Sequence, residues 1–347
     1  MADVPLFASS LEPYHDRLAE AIERVARSGV YILGPEVEAF EKEFATYLGV
    51  KHCIGLANGT DALTIALRAL GVGQGDEVVM PSFTFYATAE AAIVAGATPV
   101  FCDIDLDTFC VTAETVKAAL TPRTKAIVPV HLFGNVAPVP ELRELGPPVL
   151  EDAAQAAGAE LGGARAGALG DAATFSFFPS KNLPCLGDGG AITTNSDELA
   201  EQARVLRFHG SHDKTTFVEV GYNSRLDAMQ AAALRVLLPE LDGWNDSRRE
   251  VAAAYERLGM GEHAALPRGA GDARHIYHLY VVRSERELPL GRGYYRVPVH
   301  RQPAIGSSVD LPVTEEAART NYALPMGKDL TEEQVAEVVA ACASGST

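Results

Sequence analysis

The chain has 347 residues, of which 47% are hydrophobic and 22% are charged, and this is the composition of an ordinary globular protein. A chain of this length is expected to form two domains. The formal net charge of −17 at pH 7 argues against binding to DNA or to an acidic membrane surface, although a few clustered basic residues would still admit a nucleotide-linked ligand.

The sequence gives a consistent picture of the compartment. The N-terminus lacks a basic segment followed by an apolar core, so no signal peptide is predicted, and no apolar run reaches the roughly 18 residues of a membrane span. The five cysteines show no metal-ligand spacing, and their odd number suits a reducing environment. We therefore expect a cytoplasmic protein that binds no metal.

Helix and strand patterns alternate along the first part of the chain. Apolar spacing predicts one helix from Pro13 to Ser28 and a second that begins at Pro35. Strands are predicted at 52–56, 77–80, 98–102, 125–130, 148–151, 172–177 and 190–194. The alternation indicates an α/β fold, with a mostly parallel seven-stranded sheet between helices and room for an antiparallel member in the last strand pair.

The C-terminal part of the chain has a different pattern. Helices are predicted near 196–208 and 224–240, and Trp244 then opens a smaller α+β unit that ends in an amphipathic helix at 331–342. We divide the chain into a large domain at 1–243, which includes the N-terminal helix, and a small α+β domain at 244–347.

One lysine lies between an aromatic strand and a glycine-rich turn. Lys181 follows the apolar run 173–178 and precedes the glycines of 187–190, which allow a sharp turn and a close approach to another group. Such a lysine is either a surface charge beside a strand end or an amine held in a pocket. A desolvated amine is a nucleophile toward carbonyls and forms Schiff bases.

A second pattern lies upstream, where the apolar run 148–150 ends in Glu151 and Asp152. A parallel strand here would deliver Asp152 to the ligand-binding crevice of an α/β sheet, where a buried carboxylate needs a partner such as a protonated pyridine nitrogen. The alternative is that Asp152 caps a helix that begins at Ala153. An acid at a strand end and a lysine after a later strand are the pair that pyridoxal phosphate chemistry requires.

These two stretches resemble the DegT/DnrJ/EryC1/StrS family of pyridoxal-phosphate-dependent sugar aminotransferases, which has the aspartate aminotransferase fold type I. The likeness extends from about Pro5 to about Cys342. It implies that Lys181 binds pyridoxal 5'-phosphate as a Schiff base and that Asp152 keeps the ring nitrogen protonated. It also implies pyridoxamine 5'-phosphate in the half-reaction, L-glutamate as donor, 2-oxoglutarate as its product, and a nucleotide-linked keto-deoxysugar as acceptor.

The expected phosphate site begins at Asn58, where a strand gives way to a helix whose first amide groups are free to bind an anion. From the residues alone, helix capping by Thr60 or Asp61 is the alternative. The resemblance implies that amides of Gly59 and Thr60 and the hydroxyl of Ser176 bind the cofactor phosphate.

Further cofactor contacts follow from the resemblance. Phe83 and Phe85 offer an aromatic face, at least one of them is expected in the core, and the resemblance selects Phe85 for stacking on the cofactor ring. It implies that Gln155 hydrogen-bonds the phenolic oxygen. Asn223, which with Ser224 is otherwise a candidate helix cap, would reach the partner subunit's phosphate, so a homodimer with shared active sites is expected.

The candidate substrate-binding residues include the local positive charge that a sugar diphosphate needs. They are His131, Arg207, His209 and, within the stretch 294–303, Tyr295, His300 and Gln302. A lone histidine is more often structural than functional, so this set depends mainly on the likeness of the 300–303 run to the family's substrate segment.

The chain also departs from its relatives. Pro184 and Cys185 stand where relatives commonly carry Gly-Ala, which changes the loop after the lysine. Lys181 favours transamination, because family dehydratases carry histidine there, and Asp188 is typical of members that act on 3-keto rather than 4-keto sugars. The alternatives are a catalytically silent binding or regulatory protein and a transaminase for a keto-cyclitol.

Overall fold

The structure is a computed structural model that describes residues 4–344. In chain order its helices and strands are α1 (His15–Ser28), α2 (Pro35–Leu48), β1 (His52–Leu56), α3 (Gly59–Ala69), β2 (Glu77–Pro81), α4 (Ala87–Val94), β3 (Thr98–Cys102), α5 (Ala113–Ala119), β4 (Thr124–Ile127), α6 (Val139–Arg143), β5 (Leu150–Asp152), β6 (Glu160–Leu161), β7 (Ala164–Arg165), β8 (Ala172–Ser176), β9 (Gly190–Thr194), α7 (Asp197–Arg207), α8 (Ala228–Leu237), α9 (Leu241–Arg257), β10 (Tyr280–Arg283), α10 (Pro312–Thr320), β11 (Asn321–Leu324) and α11 (Glu332–Ser344).

The central strands form two ladders. One has the order β1-β9-β8-β5 and the other β3-β2-β4. Two isolated parallel bridges, Ile127–Val149 and Val130–Asp152, connect the two ladders between β4 and β5. Strand β9 is antiparallel to β1 and β8, whereas β2 pairs in parallel with β3 and β4, and β5 with β8. A strand lies at each predicted position, and the predicted α/β class is confirmed.

Helices cover both faces of this sheet because its strands are apolar on both sides. Along β8, Ala173 and Phe175 pack in one core with residues of α2 and α8, whereas Ala172 packs in a second core with residues of α3 and α7. Successive side chains of a strand point to opposite faces, so this division follows from the sequence order itself.

The C-terminal part is built on the antiparallel pair β10–β11, against which α9 and α11 pack. Tyr255 of α9 stacks on Tyr280 of β10 with ring centroids 4.5 Å apart. The described N-terminal residues join this core, since Val4 and Ala8 are buried in it. The predicted boundary at 243/244 falls inside the first turn of α9, and the two-domain division remains a prediction.

The predicted helix at 224–240 begins later than expected. Asn223 and Ser224 do not cap it, because residues 221–227 are not helical and α8 starts at Ala228 after Asp227. The Ser224 hydroxyl instead accepts a hydrogen bond from the amide of Ala57, at 3.2 Å. Among the helices within residues 4–344, none combines the length and the apolarity needed to cross a membrane.

Candidate active site

Lys181 lies in the loop that leaves β8. The loop is tightly folded, because the Lys181 amide donates to the carbonyl of Phe178 (2.8 Å) and the Cys185 amide donates to that of Phe177 (2.7 Å). Part of the Lys181 side chain stays accessible, but protein surrounds it, and burial lowers the pKa of its amine to about 8, against the opposing charge of Asp152. The amine is therefore much more readily deprotonated than that of a surface lysine.

Asp152 ends the buried strand β5 and faces the same space. The hydroxyl of Thr88 donates to its Oδ2 (2.9 Å), and the amide of Ala154 donates to its Oδ1 (3.2 Å). Burial raises the pKa of the carboxyl, whereas the Thr88 hydrogen bond and the charge of Lys181 lower it. No helix begins at Ala153, where the chain forms turns, so the capping alternative for Asp152 is wrong.

The neighbouring acid, Glu151, points away from this space and has a structural role. Its fully buried carboxylate accepts hydrogen bonds from the amides of Gly167 (2.9 Å) and Gly170 (2.7 Å), and from Nε2 of His131 at 2.8 Å. Nδ1 of that histidine accepts from the Ala137 amide at 3.0 Å. Both ring nitrogens of His131 are thus used inside the protein, and its predicted place on the substrate side is wrong.

The start of α3 lies against the end of β8. Asn58 caps the helix by accepting from the Asp61 amide (2.8 Å), so capping by Thr60 or Asp61 themselves is wrong. A Cβ atom at Gly59 would lie 2.8 Å from Cβ of Ser176, and one at Gly190 would lie 2.4 Å from the backbone of Asn58. Glycine is therefore required for this close approach, which brings the first-turn amides beside the Ser176 hydroxyl, as an anion site needs.

The two phenylalanines after β2 have different environments. Phe83 is fully buried, with its ring centroid 5.7 Å from that of Tyr295 in an edge-to-face contact. Phe85 leaves 60% of its side chain exposed. The prediction that one of the pair is a core residue is confirmed, and Phe85 has a free ring face that could accept a planar partner.

Gln155 lies in a turn rather than one helical turn after Asp152. Its Oε1 accepts from the Phe133 amide (2.8 Å), and its Nε2 donates to the hydroxyl of Tyr295 (3.0 Å). Gln155 is buried and Tyr295 is partly buried, and burial together with the charge of Asp152 raises the pKa of the Tyr295 hydroxyl. The structure thus brings the predicted residues Gln155 and Tyr295 together at the site.

The other predicted substrate residues do not form one group. His300 is fully buried, with Nδ1 2.6 Å from the hydroxyl of Ser82 and Nε2 3.4 Å from the carboxylate of Glu315. Both of its ring nitrogens therefore face protein groups, and its predicted substrate contact is wrong for the same reason as that of His131. Arg207 is bound to Glu41 at 2.6 Å and is not a free cation.

The remaining predicted residues are more accessible. His209 is exposed, and Nη1 of Arg225 lies 3.5 Å from its Nε2. Asn223 is also exposed, whereas Gln302 is partly buried and donates through Nε2 to the Val297 carbonyl at 2.9 Å. The roles predicted for these three side chains remain predictions.

Sequence reasoning missed several side chains that organise the site. Thr88 stands 64 residues before the carboxylate that it binds. Asn182 and His278 are linked by a contact across 96 residues. No local sequence pattern indicates such pairs. The signals that could have been noted are Thr88, a hydroxyl residue that follows β2, and Asn182, a polar residue next to Lys181.

These residues fit pyridoxal phosphate. A buried amine of lowered pKa can form the covalent link, a buried carboxyl whose pKa is raised by burial can pair with a cationic ring nitrogen, and a helix start beside a hydroxyl offers donors to a phosphate.

Known proteins are similar to this chain over most of its length. The family model of the DegT/DnrJ/EryC1/StrS aminotransferase family matches residues 14–343. The chain is 44% identical to a pleiotropic regulatory protein of Geobacillus stearothermophilus, over 97% of each chain. It is 45% identical to the dTDP-3-amino-3,4,6-trideoxy-alpha-D-glucose transaminase of Streptomyces venezuelae, over 92% of this chain and 89% of the relative.

Solved structures give the same result. The crystal structure of S. venezuelae DesV in complex with a ketimine intermediate superposes with a TM-score of 0.93 at 43% identity, over 97% of this chain and 96% of that one. The structure of NtdA from Bacillus subtilis with bound pyridoxamine phosphate superposes with a TM-score of 0.88 at 29% identity, over 99% and 85%. The chain therefore belongs to the DegT/DnrJ/EryC1/StrS aminotransferase family, whose members are pyridoxal-phosphate-dependent sugar aminotransferases.

Proposed function

We propose that this protein transfers an amino group from L-glutamate to the keto carbon of a nucleotide-linked deoxysugar, with a 3-keto sugar favoured over a 4-keto sugar. The observation that carries the proposal is the buried Lys181 amine, whose pKa is lowered to about 8, in the field of the buried Asp152. A binding protein without chemistry has no need of such a pair.

Lys181 would hold the cofactor and then move a proton. Pyridoxal phosphate, when bound, supplies an electron sink for the electron pair released as a C–H bond of the substrate breaks. Once an amino substrate displaces the lysine, its amine is free to accept that proton and return it. A pKa of about 8 leaves about half of the amine neutral at pH 8, which suits a group that must both take up and give back a proton.

Asp152 would hold a proton on the ring nitrogen of the cofactor. Within residues 4–344 this carboxylate accepts hydrogen bonds from Thr88 and Ala154, so it retains lone pairs for a further donor. Burial is the largest cause of the raised pKa of Asp152. An N⁺–H group would offset the unfavourable burial of the carboxylate charge. The charged pair would therefore stabilise both the bound cofactor and the protonated ring.

The remaining cofactor contacts divide between phosphate and ring. Amides of Gly59 and Thr60 and the Ser176 hydroxyl would bind the phosphate, and Phe85 would cover the ring. Gln155 uses one N–H of its amide for the Tyr295 hydroxyl, so its second N–H is available to the phenolic oxygen.

The acceptor class is supported by relatives whose names specify amination at carbon 3. Besides the S. venezuelae enzyme, a UDP-N-acetyl-3-dehydro-alpha-D-glucosamine 3-aminotransferase of Acidithiobacillus ferrooxidans is 42% identical over 94% of this chain and 93% of the relative. The direct test is a panel of dTDP- and UDP-linked 3-keto and 4-keto sugars and a keto-cyclitol with L-glutamate. Amination of a nucleotide-linked 3-keto sugar is expected, and amination of the cyclitol alone would contradict the proposal.

A homodimer with shared sites is part of the proposal. Several large apolar side chains of the described chain are exposed, among them Val30, Tyr31, Ile32, Phe85, Phe178, Leu186, Phe217, Val218 and Val220. Burying them against a second copy would remove an unusually apolar surface from water, and would bring Asn223 toward the partner's phosphate site.

The shared site can be tested by mixing two inactive variants. Lys181→Ala and Asn223→Ala chains form heterodimers in which one site lacks both changes, so about a quarter of the sites should become active after random mixing. Activity no greater than the sum of the separate variants, in a mixture shown to contain heterodimers, would mean that each chain supplies its own asparagine.

The name of the Geobacillus relative favours a regulatory protein as second candidate. Lys181 separates the two candidates, because regulation by binding alone does not require its amine. Lys181→Ala should abolish turnover, and exposed Lys51 replaced by alanine should not. Turnover near the wild-type level in the Lys181→Ala protein would rule out the enzymatic proposal.

A further inference from the structure

The residue next to Lys181 is held by a chain of buried amide groups. Nδ2 of Asn182 donates to Oδ1 of Asn245 in α9, at 2.7 Å. Nδ2 of Asn245 in turn donates to the carbonyl of Ala157, at 3.0 Å, in the turns that follow Asp152. All three side-chain and backbone groups are buried, so these bonds connect the lysine loop to α9 and to the loop after the acid.

The direction of these bonds fixes the tautomer of His278. A carbonyl only accepts, so Ala157 requires the amide nitrogen of Asn245 to face it, and Asn182 must then present its own nitrogen to Asn245. The oxygen of Asn182 is left facing Nδ1 of His278, at 3.1 Å. Nδ1 is therefore the donor, and Nε2 carries the lone pair.

The surroundings of His278 keep its ring neutral. The ring is buried, and burial together with the positive charges of Lys181 and Arg248 holds its pKa well below the ordinary value. A neutral ring can stand near the lysine without repelling its ammonium form. It offers one N–H, and Asn182 receives it.

The backbone of His278 is fixed from two sides. Nη1 of Arg248 donates to the carbonyls of Tyr277 (3.1 Å) and His278 (3.4 Å). On the other side, a Cβ atom at Gly134 would lie 2.7 Å from the amide nitrogen of His278, so the 132–134 turn contacts this segment directly. The ring therefore projects from a rigid segment just before β10 toward the lysine loop.

We propose that His278 is a positioning residue for Lys181: its Nδ1–H, donated to Asn182, fixes the lysine-bearing loop against α9 and against the loop that follows Asp152. This inference rests on the proposed role of Lys181 as the cofactor-binding amine, but not on the donor or the sugar.

A consequence for Lys181 follows from the cause of its low pKa. Desolvation is the largest contribution, and it depends on the loop holding the amine against the surrounding protein. Without the His278 donor, the Asn182 oxygen is left buried and unpaired, which is unfavourable. Opening the loop would let water hydrogen-bond that oxygen. Water stabilises the ammonium form, so the pKa of Lys181 should rise.

Three substitutions at His278 test the bond in the full-length protein stripped of cofactor. Competitive labelling with acetic anhydride across a pH series, followed by mass spectrometry of the peptide that contains Lys181, measures the pKa of its amine. His278→Leu removes the donor and should raise that pKa from about 8 by about one unit. His278→Asn places an amide nitrogen where Nδ1 was and should keep the wild-type value, whereas His278→Gln places it nearer Nε2 and should behave like leucine.

His275 supplies the matched control. It lies three residues earlier, is also buried, and stacks on Tyr277 with centroids 4.2 Å apart, but its Nδ1 accepts from the Tyr277 amide and not from the lysine loop. His275→Phe should leave the pKa of Lys181 unchanged. The dissociation constant of pyridoxal phosphate should rise about tenfold in His278→Leu and stay within about twofold in His278→Asn and His275→Phe.

Two results would overturn the inference. One is an unchanged Lys181 pKa in a His278→Leu protein whose thermal unfolding shows that it is folded. The other is equal rescue by glutamine and asparagine, which decides the matter even where His278→Leu does not fold. A failure of sugar amination with an intact Lys181 pKa would count against the proposed function alone.

Discussion

The hydrogen bond from Thr88 to Asp152 gives the sharpest quantitative prediction. Thr88→Val preserves the shape of the side chain but leaves the buried carboxylate, within residues 4–344, with the Ala154 amide as its remaining hydrogen-bond donor. A hydrogen bond to a charged group contributes about 1.5–3 kcal/mol, and one pKa unit corresponds to about 1.4 kcal/mol. The substitution should therefore raise the Asp152 pKa by about one to two units and destabilise the protein by a similar free energy when the carboxyl is ionised.

The sign of the pH dependence follows from burial. Because burial already raises the Asp152 pKa, the neutral acid is the form that suits the fold, and stability is lost as pH rises through the raised pKa. The destabilisation by Thr88→Val should thus be greater at pH 8 than at about pH 4, because lowering the pH favours the protonated carboxyl. Urea unfolding of the cofactor-free protein at both pH values measures the difference.

Thr174→Val is the matched control. Thr174 is equally buried and lies beside Asp152 in the strand ladder, but its hydroxyl donates to the backbone carbonyl of Glu151 rather than to the carboxylate. Its destabilisation should not change between the two pH values. A Thr88→Val effect that is also independent of pH would refute the reasoning, because it would show that the hydroxyl does not stabilise the charge.

Two further predictions concern the phosphate site and a corrected residue. Gly190→Ala would place a Cβ atom 2.4 Å from the backbone of Asn58 and should weaken pyridoxal phosphate binding at least tenfold by absorbance titration. Gly243→Ala is the control, because open space surrounds Gly243, and it should not weaken binding. Equal affinities of the two variants would refute the predicted phosphate site at the start of α3. His131→Leu removes one donor from the buried Glu151 and should cost about 1–3 kcal/mol in urea unfolding without changing KM for the keto-sugar. A raised KM at unchanged stability would restore its substrate role.

The sequence predicted the layout of the sheet because buried parallel strands appear as short apolar runs between turn residues. Lys181 and Asp152 lie just beyond such runs, so both could be identified as site candidates from strand ends alone. The start of α8 could not be predicted, because the apparent cap Ser224 binds Ala57, a residue distant in sequence.

Side-chain roles that depend on tertiary pairing were beyond the reach of local patterns. His131 and His300 were candidate substrate ligands, but a histidine can be buried when both ring nitrogens find partners. Glu151 and the Ala137 amide are those partners for His131, and Ser82 and Glu315 are those for His300. Asn182 could likewise be recognised only from the fold, because its hydrogen-bond partners Asn245 and His278 are distant in sequence.

The most direct test of the central claim is the absorbance spectrum of the purified protein with pyridoxal phosphate, before and after addition of L-glutamate. A visible band that forms with the cofactor and bleaches to the pyridoxamine form is predicted, since a Lys181 amine of pKa about 8 can bind the cofactor and glutamate can then displace it. A band that forms and persists would contradict glutamate as donor. The absence of any band would contradict the account of Lys181 itself.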